Sequence, residues 1–243
     1  MKHHLASQRQ RGFTLVEIAI VLMIVGLLIG GILRGQELIQ SARVRNIVDQ
    51  KSAIQTAYIG FLDRYRMLPG DLTAAQVLVV GNGVLASATG GDGQIAFGTE
   101  STLFFQNLTA AGFISCGACM TVALVGGVGP AANTSNSPLN VYGDFLGTGN
   151  ANSSTTGASW FDPSNPAINR FVVDTGASIP SQVLAEVDRK ADDGLPGTGQ
   201  LRSAEGAPRG SPAATCAPTM IATPATGGWA NPSQANCMAS WLF

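Results

Sequence analysis

Twenty-one consecutive residues, Phe13 to Leu33, contain one charged side chain, Glu17. At 1.5 Å per residue a helix of that length covers roughly 31 Å, enough for the hydrocarbon core of a bilayer. This run predicts one membrane-spanning helix and sends everything after it across the membrane. The segment before it, Met1 to Gly12, carries Lys2, Arg9 and Arg11 and no acid, for a formal charge of +3. By the positive-inside rule the N-terminus faces the cytoplasm. A secretory signal peptide is the rival reading. Its apolar core is usually about 7–15 residues long and is followed by a small-residue cleavage site, whereas here the run is longer and the small residue, Gly12, precedes it.

Glu17 is out of place in such a run. A carboxylate inside a span costs about 2.5–3.5 kcal/mol on insertion scales, so it marks function by default. The bland alternative is that Glu17, about one turn from the end, snorkels to the interface. Further along, Gly26/Gly30 and Gly31/Gly35 form two small-xxx-small pairs. They suit close helix packing or, at about 1 kcal/mol of helix propensity each, local melting.

Beyond the span the pattern turns amphipathic. Leu38, Ala42, Ile47, Ile54, Tyr58, Phe61, Leu62 and Tyr65 recur mostly at three- and four-residue steps, with charged residues between them. One helix is expected from Phe13 to about Arg66, ended by Pro69, because the residue before a proline is pushed out of the helical region. Its upper half offers an apolar stripe for a globular head to cover; the steps are not a sustained heptad there.

Arg11-Gly12-Phe13-Thr14-Leu15-Val16-Glu17, with its basic leader and following span, resembles the processing site of type IV pilins and type II secretion pseudopilins. The resemblance covers roughly the first 70 residues. It implies that a prepilin peptidase cuts between Gly12 and Phe13 and methylates the new amine of Phe13. It also implies that Glu17 faces the N-terminal amine of a neighbouring subunit. A free amine and a lone carboxylate are each costly in hydrocarbon, so their pairing would neutralise both and set the register between subunits. Further implications are a homo- or hetero-oligomeric filament of pilin-like subunits, an inner-membrane assembly platform, and a pilin-like α+β fold. In that fold a long N-terminal α-helix, membrane span plus amphipathic stem, carries a small antiparallel-sheet head with long loops. The expected segments are a leader 1–12, a span 13–33, a stem 34–69 and a periplasmic or extracellular head 70–243. The location expected is the inner membrane, then a pilus or pseudopilus.

From Gly70 onward the chain is rich in Gly, Ala, Ser, Thr and Asn. Val77–Val80, Thr121–Val125, Leu139–Phe145 and Arg170–Asp174 read as short strands. Glu100 to Ala111 reads as a helix stopped by Gly112, and Gln182 to about Lys190 as a second helix capped by Ser181. Gly126–Ser137, Gly147–Ser159 and Ser203–Asn236 read as loops. Leu68-Pro69-Gly70-Asp71 and Val187 to Gly199 also look like segments of larger prepilin-type proteins.

Four cysteines lie in this head. Cys116-Gly117-Ala118-Cys119 is a C-x-x-C, and Cys216 and Cys237 are 21 positions apart. The second pair is too widely spaced for a zinc ribbon, and no βαβ pattern surrounds the first. On the oxidising side of the membrane disulfides are favoured. Three connectivities exist; the one expected joins Cys116 to Cys119 and Cys216 to Cys237. Asp188, Asp192 and Asp193 cluster before Gly194 and are candidate Ca²⁺ ligands. The spacing is not an EF-hand, and the plain alternative is a charged helix end paired with Arg189 or Lys190. Calcium in the head of some major pseudopilins is part of what the resemblance implies. Asp92, in Gly90-Gly91-Asp92-Gly93, reads as a turn residue.

Function classes narrow on composition. Both histidines, His3 and His4, lie in the leader, so a processed chain has no histidine for a catalytic triad or metal site. No enzyme is expected. Residues 70–243 carry five basic and eleven acidic side chains, a formal −6, which argues against nucleic-acid binding. The leading expectation is a structural filament subunit serving a pilus or type II secretion. The alternative is a minor or tip pilin acting as an adhesive or ligand-binding module, with Trp160, Trp229 and Trp241 in or near loops.

Overall fold

The computed structural model describes residues 12–81, 90–121, 131–152, 169–204, 213–217, 228–230 and 233–243. The chain divides into two compact units with the boundary between Ala42 and Arg43. The fold is α+β: a long N-terminal helix, shorter helices and a four-stranded antiparallel sheet.

Helix α1 runs from Leu15 to Tyr65, 51 residues. It ends three residues before Leu68, the position that Pro69 constrains. Arg66 takes a left-handed φ of 56°, and its N–H donates to the Leu62 carbonyl at 2.9 Å. The chain leaves the helix by an αL residue, and Pro69 only follows a stop already made.

In the first unit no residue from Gly12 to Leu33 is buried. In the second unit α1 buries Val44, Ile47, Ile54, Ala57 and Phe61, a stripe on one face. Two buried clusters form along that stripe. Ile54, Ala57 and Phe61 pack with helices α2 (Ala74–Gly81) and α3 (Thr99–Ala110), through Val77, Phe104, Phe105 and Leu108. Val44 and Ile47 pack with helix α4 (Ser181–Ala191), through Val183, Leu184 and Val187, and with Trp229 and Trp241.

The sheet has the order β1 (Gly147–Asn152), β2 (Asn169–Asp174), β4 (Ala239–Leu242), β3 (Leu201–Ser203), each neighbour antiparallel. Val173 pairs with Trp241, and Trp241 with Leu201. Both outer edges are engaged. On β1, Asn150 N–H donates to the Ile95 carbonyl at 2.6 Å and Thr148 N–H to Ser101 Oγ at 2.9 Å. On β3, Ser203 N–H donates to the Pro196 carbonyl at 2.7 Å. Covered edges give another chain no free ladder to extend.

Several expected elements differ. Val77–Val80 is helical, within α2. Gln76 reaches back from the first turn to accept the Thr73 N–H at 2.8 Å, half of a capping box, and this outweighs the β preference of three valines. Leu139–Phe145 is one bridge closing a turn, not a strand. The Asn140 side chain accepts the N–H groups of Tyr142 at 2.8 Å and Asp144 at 3.1 Å and bends the chain there. Gly147–Asn152, expected as loop, is β1. The expected strand at Arg170–Asp174 lies in β2, and the helix expected from Glu100 lies in α3, followed by Gly112 at φ 81°. α4 has Pro180 as its cap position, and Ser181 is its first residue. The Ser181 hydroxyl instead donates to the Ala230 carbonyl at 3.0 Å and accepts the Gln234 N–H at 2.9 Å, tying α4 to the last segment of the chain. Within the expected loop Ser203–Asn236, Ala213–Cys216 forms a helical turn, α5. Residues 122–125 of the expected strand Thr121–Val125 lie outside the described residues; Thr121 closes a 3-10 turn from Ala118.

Candidate functional site

The N-terminal stretch is built around Thr14 and Glu17. Gly12, Phe13 and Thr14 precede α1, and Phe13 is 84% exposed. Thr14 Oγ1 accepts the Glu17 N–H at 3.3 Å, and Glu17 Oε2 accepts the Thr14 N–H at 2.8 Å. This is a reciprocal capping box, in which each residue satisfies one orphan donor of the helix start. The Thr14 hydroxyl also donates to Glu17 Oε2 at 2.9 Å.

The carboxylate expected to be a lone charge therefore has a partner in its own chain. Thr-x-x-Glu is a capping signature that the sequence carries openly. Both Thr14 donors use Oε2. An amine arriving at Oε1 can add to the box without dismantling it.

The second candidate is the acidic turn after α4. Ligand oxygens of Asp188, Asp192 and Asp193 lie within 4.8 Å of one another. Asp188 is fully buried; its Oδ2 accepts the Trp229 indole N–H at 2.8 Å and its Oδ1 the Gly194 N–H at 3.2 Å. Burial pushes its carboxyl up from 3.8 to about 6, against those two hydrogen bonds and with added repulsion from Asp193 and Asp192. Asp192 Oδ2 accepts the N–H groups of Gln200 and Leu201, the latter at 2.7 Å. Asp193 accepts the Leu195 N–H at 2.9 Å and the Thr198 hydroxyl at 2.5 Å.

Six donors thus converge on three carboxylates and close the turn from Asp192 to Leu201. Ca²⁺ takes six to eight oxygens, and among the described residues no fourth acid, histidine or cysteine joins this group. The other oxygens of a calcium shell would come from backbone carbonyls or water. Arg189 and Lys190 do not neutralise the turn. Arg189 Nε donates to the Ala185 carbonyl at 3.2 Å, and Lys190 pairs with Glu186 at 2.8 Å.

The cysteines form two bonds, Cys116–Cys119 and Cys216–Cys237. One lies in each buried cluster, so each staples one of the two packings on α1. Trp229 and Trp241 are 8% and 2% exposed, and Lys51 sits over the Trp241 ring at 5.3 Å. Trp241 is closed in, and Trp229 lines a surface pocket with Gln182, Ala185, Arg189, Gly194 and Ala230. Trp160 lies outside the described residues.

Leu68-Pro69-Gly70-Asp71 and Gly90-Gly91-Asp92-Gly93 are separate in the sequence, and the structure joins them. The buried Asp71 carboxylate accepts the N–H groups of Gly91, Asp92 at 3.3 Å and Gly93 at 2.8 Å. Asp92 is a turn residue, accepting the Gln94 N–H at 2.8 Å. Glu100 lies near both acids; burial raises its carboxyl first, with Asp71 and Asp92 adding to the rise.

Comparison with known proteins bears on the N-terminus alone. The family model described as prokaryotic N-terminal methylation motif matches residues 7–33, the prepilin-type signature. No curated protein and no solved structure matches the chain.

Proposed function

From the prepilin-type signature at residues 7–33, we propose that this chain is a structural subunit of a type IV pilus-like filament, serving pilus formation or type II secretion. A prepilin peptidase removes residues 1–12 and methylates the Phe13 amine. The inner-membrane assembly platform then brings subunits together, with α1 as the contact and the head on the far side of the membrane.

The observation that carries this reading is the coincidence of three features on one stretch. The signature, the exposed apolar run of α1 from Leu15 to Leu33 and the Glu17 carboxylate all fall within residues 7–33. The covered sheet edges add support, because they leave helix packing rather than strand addition as the route to a polymer.

Replacing Glu17→Val should leave insertion and cleavage intact and abolish filaments, read by electron microscopy and by N-terminal sequencing of the membrane fraction. Normal fibres from that variant would sink the assembly role. Finding Met1 still in place in cells that hold the peptidase would sink the processing route. Loss of surface fibres in a deletion strain assigns the subunit to a pilus, and retained exoproteins assign it to secretion.

A further inference from the structure

We propose that the pocket beside α4 binds a peptide by its terminal carboxylate, which the Arg189 guanidinium recognises. The filament reading does not require such a site, and the site does not depend on that reading.

The pocket is built from one face of a helix and the chain that crosses it. Gln182, Ala185 and Arg189 recur at steps of three and four along α4 and so share a face. Trp229, Ala230 and Gly194 close the other side around a space of about 310 Å³, at the small end of ligand pockets. Ser181 ties the far wall to α4 by its hydrogen bond to the Ala230 carbonyl at 3.0 Å. Asp188 fixes the Trp229 ring through its indole N–H at 2.8 Å. The walls are therefore set by the fold before any ligand arrives.

Arg189 is held as well. Its Nε donates to the Ala185 carbonyl at 3.2 Å. Gly194, at φ 81°, lies so close that a Cβ there would stand 2.9 Å from Arg189 Cγ. Conformation and space both ask for glycine, and the bare backbone clamps the arginine stem. The two terminal amino groups of the guanidinium have no hydrogen-bond or ion-pair partner among the described residues. Lys190 beside it is already paired with Glu186. A planar fork with unused donors matches the two oxygens of a carboxylate.

Asp192 and Asp193 do not fill that role. Their oxygens accept N–H groups and the Thr198 hydroxyl of their own turn. Their charge opposes a nearby anion, so recognition rests on the two directed hydrogen bonds of the fork more than on net charge. Beyond the fork, Ala185, Ala230 and the exposed part of Trp229 offer apolar surface. The exposed Gln182 amide, about 10 Å from Arg189 along the helix axis, offers a donor and an acceptor. A carboxylate, then an apolar side chain, then a peptide group is the order of a peptide's carboxyl-terminal end.

The test is equilibrium dialysis of full-length protein in detergent against labelled N-acetyl-alanyl-phenylalanine and against its carboxamide. The acid should be retained and the amide should not. Arg189→Gln should weaken binding of the acid about tenfold to a hundredfold. Arg189→Lys, which keeps the charge and loses the fork, should lose most of the affinity. Lys190→Gln should stay within about twofold of the parent. Arg189 is exposed, so all three variants should melt with the parent. Equal retention of acid and amide would overturn the carboxylate fork, as would unchanged binding by Arg189→Gln or equal binding by Arg189→Lys. Retention of a hexuronate with none of the peptide would overturn the peptide, and no retention of either at millimolar concentration would overturn the site.

Discussion

The two halves of α1 share a backbone and differ in what covers them. From Leu15 to Ala42 the helix buries none of its side chains, although most of the large ones are apolar. From Arg43 to Tyr65 it buries five, and its exposed positions are mostly polar, Ala53 and Ile59 excepted. The upper half is a core helix whose apolar stripe is satisfied by the chain itself. The lower half has no such cover among the described residues, and its length and apolarity, with the prepilin-type signature on it, fit a membrane anchor. One uninterrupted helix carries both an apolar stretch and a striped one.

That contrast can be broken most sharply at two apolar positions. Phe61→Ala opens a cavity among Tyr65, Phe113 and the α3 aromatics, and should cost about 3–5 kcal/mol of head stability. Leu22→Ala removes a comparable side chain from the exposed half and should leave head stability within about 0.5 kcal/mol. Urea unfolding of detergent-solubilised protein, followed by tryptophan fluorescence, measures both. Equal losses would mean that the lower half packs on the head in solution.

Asp188 gives the next largest effect, confined to the upper unit. In the unfolded chain its carboxyl ionises near 3.8, and in the folded chain it holds its proton to about 6. Below 3.8 the contribution of the protonated form is fully present. It is lost as pH rises from about 4 to 6, because the unfolded state ionises first. The loss is about 3 kcal/mol at most. In chelator-treated protein the urea midpoint should fall across that window, and Asp188→Asn should flatten the fall. A wild-type midpoint that rises between pH 4 and 6 would contradict the buried, unneutralised carboxylate.

Two glycines of the same helix give the smallest effect. A Cβ at Gly60 would stand 2.8 Å from the Phe113 ring, so Gly60→Ala should cost about 1–3 kcal/mol. A Cβ at Gly26 meets nothing, so Gly26→Ala should leave the head unchanged and raise local helix propensity by about 1 kcal/mol. Thermal melts compare the two; a destabilised Gly26→Ala head would place that glycine in an unexpected contact.

The prepilin-type signature was legible because its information is local. A basic leader, one glycine and a charge-poor run are a pattern of consecutive residues. The capping box of Thr14 and Glu17 was equally local, and could have been read from its spacing. α3, α4 and β2 were also visible in pattern. By contrast, β1 is Gly-Thr-Gly-Asn-Ala-Asn, with little strand propensity. It is a strand because β2 offers it a ladder and Phe97 needs the space at Gly149, where a Cβ would lie 2.7 Å from the ring. Val77–Val80 shows the opposite: a strand-like string made helical by the Gln76 contact to Thr73 and by the pocket beside α3.

Sequence alone determined that this chain has a prepilin-type N-terminus, a helix-length apolar run and a long helix, because hydropathy, charge and periodicity act over neighbouring residues. Only the tertiary structure decided that Asp71 organises the Gly90–Gly93 turn, that Ser181 ties α4 to Ala230 rather than capping it, and that Asp188 is shut in beneath Trp229. Those contacts join residues 20 to 50 positions apart, and nothing in a local pattern sets which distant donor a buried oxygen will meet.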